Sequence, residues 1–128
     1  MKTYFLDTSV IIDYLRGKKD AVDLVNNLKG KLVSSYICLS ELYEGIYRSK
    51  NKDAESTILE FFSGLSKTYG LNQKIAQEFG HLRKILKQKG EIIEDLDIMI
   101  AATCIVYGLT LVTLNKKHFL RIKKINII

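Results

Sequence analysis

Oxygen side chains stand at several points of this 128-residue chain where strand-like runs give way to helices or turns. Asp7 follows the apolar run Tyr4-Phe5-Leu6. Glu41 lies early in a helix-spaced stretch behind the second such run. Asp97 sits in the first turn of a very apolar helical segment, and Thr113 and Asn115 close another strand. In an open parallel sheet, ligands gather beyond the carboxyl ends of the strands, so these residues are expected to share one rim. Carboxylates gathered there repel, and two charges 4 Å apart cost about 4 kcal/mol at an effective dielectric near 20. A divalent cation among Asp7, Glu41 and Asp97 removes that cost. Ligands that are all oxygen point to Mg2+ or Mn2+ rather than zinc.

Each residue also has a plainer reading. Asp7-Thr8-Ser9 is a favoured helix N-cap. Glu41, and still more Glu44 one turn on, would serve as solvated helix glutamates. Asp97 suits the positive end of a helix dipole. Asp95, about 200° around the helix from Asp97, makes the better N-cap and should point away. A strand-end Thr113 needs only β propensity, and Asp13 reads as an i,i+3 partner of Arg16. Other chemistries are excluded. No Gly-rich phosphate loop follows the first strand, and no Gly-x-Ser-x-Gly elbow exists. Cys38, His81, Cys104 and His118 lack zinc spacing, and Ser9 occupies the second acidic position of an Asp-x-Asp phosphatase pattern.

The elements that must position these groups alternate along the chain. Strands are expected over 3–6, 32–36, 66–71, 109–113 and 123–128. Helices are expected over 10–16, 20–28, 39–48, 54–65, 72–89 and 95–107, with Gly17, Gly30 and Gly90 as stops and Asn72 as an N-cap. The segment 95–107 is apolar all round and should be buried on several sides. Such alternation indicates an α/β fold: a parallel sheet of about five strands between two helical layers. Residues Leu42, Tyr43, Ile46 and Tyr47 form a stripe that suits either the core or an interface.

Composition agrees with one globular domain over 1–128: 47% apolar and 27% charged residues. The net charge of +6 suits an anionic partner such as nucleic acid. Lys116, Lys117, Arg121, Lys123 and Lys124 have no acid among them and read as phosphate contacts or as a solvated basic terminus. Cys38 and Cys104 read as buried thiols of a reducing compartment, with one disulfide as the lesser alternative. No signal peptide is apparent, and the uncharged stretch 98–114 is too short and interrupted to span a membrane, so a cytoplasmic protein is expected.

The chain also resembles the PIN-domain ribonucleases, specifically the VapC-type toxins of toxin–antitoxin pairs. The likeness runs through Phe5-Leu6-Asp7-Thr8-Ser9, Ile11-Ile12-Asp13-Tyr14-Leu15-Arg16-Gly17 and Ser40-Glu41-Leu42. It continues through Asp97-Ile98-Met99-Ile100-Ala101-Ala102-Thr103 and Leu111-Val112-Thr113-Leu114-Asn115-Lys116-Lys117-His118-Phe119. The resemblance implies a three-layer α/β/α PIN-like fold. It also implies acidic metal positions at Asp7, Glu41 and Asp97, a homodimer, and an antitoxin encoded alongside. Asn115 and His118 depart from it, since many members carry a fourth acid at the first position and others at the second, and the departure favours a single-ion site or a second ion bound only with substrate.

The activity so implied is hydrolysis of RNA, with a Mg2+ or Mn2+ ion lowering the pKa of a bound water and stabilising charge on the scissile phosphate. Ser9 and Thr113 would orient carboxylates or waters. Two rival readings remain at this stage. One is a catalytically weak RNA-binding module on the same fold, motivated by Asn115 and His118. The other is a receiver-like phosphoryl-transfer domain, disfavoured because no second acid accompanies Asp7.

Overall fold

Phe5 and Leu6 are both completely buried, each in a different core, because successive side chains of a strand point to opposite faces. The computed structural model describes residues 2–128. Their order is β1 (Lys2–Leu6), α1 (Thr8–Leu15), α2 (Lys19–Asn26), β2 (Gly30–Ser35), α3 (Tyr36–Arg48), α4 (Ala54–Ser63) and β3 (Lys67–Tyr69). Then follow α5 (Gln73–Gln88), α6 (Asp95–Tyr107), β4 (Thr110–Val112), α7 (Lys116–Phe119) and β5 (Asn126–Ile127).

All five strands pair in parallel, in the order β3-β2-β1-β4-β5. Phe5, Val33 and Leu111 face a core completed by α5, α6 and α7, including Ile75, Leu82, Ile98 and Phe119. Tyr4, Leu6 and Val112 face the other, filled by Val10 and Ile11 of α1, Val25 of α2 and Phe62 of α4. The fold is therefore the expected three-layer α/β/α arrangement. Helix α6 carries buried residues at Ile98 and at every position from Ile100 to Cys104, as its unbroken apolarity requires. Gly108, at φ +64°, ends it in the left-handed conformation that glycine adopts without a Cβ penalty.

Several local expectations are corrected. Gly30 is not the stop of α2 but the first residue of β2, where a Cβ would run into the Lys2 carbonyl oxygen. The N-cap of α6 is Glu94, without a side-chain bond. Asp95 instead pairs with Arg83 of α5 and is largely exposed. Asp13 pairs with Lys18 at 3.5 Å rather than with Arg16, because the chain turns at Gly17 and brings Lys18 back. Of the α3 stripe only Leu42 is buried. Tyr43 bonds Glu55 and Tyr47 is 81% exposed. The last strand is only two residues long, and α7 lay hidden in a run too short to show helical periodicity.

Phe119 is wholly buried on the single turn of α7. Phe119→Ala should therefore cost about 3–5 kcal/mol in urea unfolding, the usual penalty for an emptied aromatic site. A loss below 1 kcal/mol would contradict this packing.

Candidate metal centre

From the central β1 the chain moves outward through β2 to β3, then returns to place β4 on the other side of β1. The crevice between β1 and β4 is thus the topological switch point, where sheets of this kind take their ligands. Asp7 follows β1 and Thr113 follows β4. Across that boundary Thr113 Oγ1 donates to Asp7 Oδ2 at 2.7 Å. The Thr8 backbone N–H donates to Asp7 Oδ1 at 2.8 Å, so Asp7 is the N-cap of α1 as well. Ser9 Oγ reaches Asp7 Oδ2 at 3.4 Å and accepts from the Leu114 N–H at 3.2 Å. The two readings of Asp7, cap and cluster member, hold together.

Glu41 arrives from β2. The pairing of Phe5 with Val33 brings the end of β2 level with Asp7. Ser35 caps α3 there by accepting from the Cys38 N–H at 3.3 Å. Thr8 Oγ1 then donates to Glu41 Oε1 at 2.7 Å. One ligand atom each from Asp7, Glu41 and Cys38 lie within 4.8 Å of one another. Sequence reasoning missed Thr8 and Cys38 as neighbours of these acids. The available signals were Thr8 beside Asp7 and the i,i+3 spacing of Cys38 to Glu41. Burial, with Asp7 nearby, pushes the Cys38 thiol up to about 11, so it stays protonated at neutral pH.

Asp97 stands outside that tight group. It comes from α6 on the opposite helical layer, and its Oδ2 lies 3.1 Å from His118 Nδ1 of α7. Its charge is still felt. Burial first, then Asp7 and Asp97, push the Glu41 carboxyl up against the bond from Thr8. Burial also raises Asp97, opposed by His118 and reinforced by Asp7. Asp7 is raised by burial alone, against the bonds from Thr113, Thr8 and Ser9. Among the described residues, no Lys or Arg pairs with any of the three acids.

The remaining candidates divide. The Asn115 N–H donates to Thr113 Oγ1 at 3.0 Å, and its side chain caps nothing. Asn115, Lys116, Lys117 and His118 line a crevice of about 420 Å³ with Thr113. Arg121 is engaged elsewhere. Its Nη1 donates to the Ile92 carbonyl at 2.8 Å, and Glu91 lies 3.9 Å from its Nε.

The profile of the PIN domain matches residues 4–125. The chain belongs to the PIN-domain family. Within that family it is of the VapC type. Ribonuclease VapC1 of Methanocaldococcus jannaschii is 33% identical over 119 residues, covering 93% of this chain and 80% of that protein. Ribonuclease VapC2 of Rickettsia felis is 34% identical over 124 residues, covering 93% and 91%. The crystal structure of VapBC2 from Rickettsia felis bound to a DNA fragment from their promoter superposes with a TM-score of 0.87. It is 30% identical and covers 98% of this chain and 97% of that one.

The donor set of this PIN domain fits a hard divalent cation. These buried or half-buried carboxylates are raised chiefly by desolvation and have no Lys or Arg partner among the described residues, and an ion supplies positive charge. Carboxylate oxygens suit Mg2+ or Mn2+, whereas the protonated Cys38 thiol is a poor partner for either.

Proposed function

We propose that this VapC-type PIN domain, over residues 1–128, is a Mg2+- or Mn2+-dependent endoribonuclease. In this reading it is the toxin of a toxin–antitoxin pair, acts as a homodimer and is neutralised by a cognate antitoxin. Relatives named as ribonucleases and a neighbour solved as a VapBC complex support the assignment. The observation that carries the chemistry is Asp7 and Glu41 meeting at the switch point, with Asp97 near enough to raise Glu41 and no Lys or Arg paired to any of them among the described residues.

Asp7, Glu41 and Asp97 would hold the cation, which when bound lowers the pKa of a water and stabilises charge on the scissile phosphate. Thr113 and Thr8 fix Asp7 and Glu41 through their hydroxyls, so neither carboxylate must reorganise when substrate arrives. Ser9 ties Asp7 to the backbone after β4. Asn115, Lys116 and Lys117 line the adjoining crevice, where the two lysines would receive flanking phosphates. Arg121 braces the segment between α5 and α6, and Asp95 braces α5 through Arg83.

Incubation of a mixed RNA substrate with the purified chain tests the proposal. Cleavage is expected with added Mn2+ or Mg2+, and none in chelator. RNA bound but left intact under both conditions would favour the catalytically weak RNA-binding alternative. Thr113→Val removes only the hydroxyl that grips Asp7. It should weaken Mn2+ binding by about 10–100-fold in calorimetric titration. Unchanged affinity would strip Thr113 of its orienting role.

A further inference from the structure

Asp7 and Glu41 are each gripped by a hydroxyl from another element, but among the described residues no hydroxyl reaches Asp97. Its partner is the His118 imidazole, Nδ1 to Oδ2 at 3.1 Å. We propose that His118 is the positioning residue for Asp97, holding Oδ2 through an Nδ1–H and leaving Oδ1 to the cation. This rests on the metal-dependent reading above.

An ionised carboxylate only accepts hydrogen bonds, so the nitrogen that faces it carries the proton. The ring is placed by its neighbour: Phe119 is fully buried, and the His118 N–H closes the turn on the Asn115 carbonyl at 3.0 Å. The His118 side chain itself is 56% exposed, so core packing gives no reason for an imidazole here. Direct ligation through Nδ1 is not what the geometry favours, because that nitrogen already faces Asp97 Oδ2. The pair therefore reads as a carboxylate and the group that orients it, the arrangement in which an outer partner is worth about 10–100-fold in metal affinity.

Calorimetric titration with Mn2+ on wild type, His118→Ala, His118→Asn and His118→Gln tests this, with melting curves recorded free of metal. Asn presents its amide N–H close to the place of Nδ1, whereas Gln reaches the place of Nε2. Affinity is expected to fall about 10–100-fold in His118→Ala and His118→Gln, and to recover to within a few-fold of wild type in His118→Asn. Metal-free melting should be unchanged in all three variants. Wild-type affinity in His118→Ala overturns the proposal alone. Recovery by Gln and not Asn also overturns it, by making the far nitrogen the working atom. Absence of Mn2+ binding by wild type overturns the metal-dependent reading and this inference with it.

Discussion

Replacing Asp7 by Asn is expected to lower RNA cleavage by on the order of 10³-fold or more while the chain stays folded. Asp7 is the most buried of the three acids, only 4% exposed, and it meets Thr8, Ser9 and Thr113 at once. Asn keeps one oxygen for the Thr8 N–H, so the start of α1 survives. Its amide meets hydroxyls that can rotate to accept. What is lost is the negative charge, and with it several kcal/mol of cation-mediated stabilisation of the transition state. Measured cleavage rates at saturating Mn2+ decide the matter. Activity within tenfold of wild type would remove Asp7 from the chemistry.

Stability should report the same three carboxylates in a different currency of measurement. Asp7, Glu41 and Asp97 all have folded-state values above their ordinary 3.8, 4.5 and 3.8. Between the ordinary and the raised values the folded state holds protons that the unfolded chain has released. Stability therefore falls as pH rises through that window and is regained on acidification. The metal-free protein should melt higher at mildly acid pH than at pH 7, over the range before other groups titrate. Asp7→Asn or Asp97→Asn should leave metal-free stability at pH 7 unchanged or higher by about 0.5–2 kcal/mol. Adding Mn2+ to wild type should reverse the trend. An ion bound only by the folded state contributes about 2.7 kcal/mol at a hundred times its Kd. The variants should gain much less. Metal-free loss of about 1 kcal/mol in both variants, with no response of wild type to Mn2+, would reduce these aspartates to helix caps.

A dimer is the remaining expectation about assembly. Light scattering at micromolar concentration should give twice the 14.6 kDa mass of the chain. A monomer would contradict it.

The sequence by itself determined the layers and the rim. Apolar runs of strand length alternate with helix-spaced stripes, and only a parallel sheet covered on both faces buries both patterns. Because ligands collect at strand carboxyl ends, Asp7, Glu41, Thr113 and Asn115 were readable as rim residues before any fold was known. Asp97 was marked by the uncharged stretch behind it. Asp13, Gly30 and Asp95 were misread because their partners, Lys18, Lys2 and Arg83, are chosen by where the chain turns and by which strand or helix lies alongside.

The pairing inside the site was decided by the tertiary structure alone. Spacing in the chain carries no information on which acids stand closest, since 34 residues separate Asp7 from Glu41 and 90 separate it from Asp97. Strand register sets Glu41 beside Asp7 through Thr8, while α6 enters from the other helical layer and delivers Asp97 to His118. The turn that presents His118 is too short to show a period and exists because Phe119 fills the core beneath it. Local sequence specifies elements because backbone propensity and hydrophobic period act over neighbouring residues. Distances of a few Å between remote side chains follow only from packing.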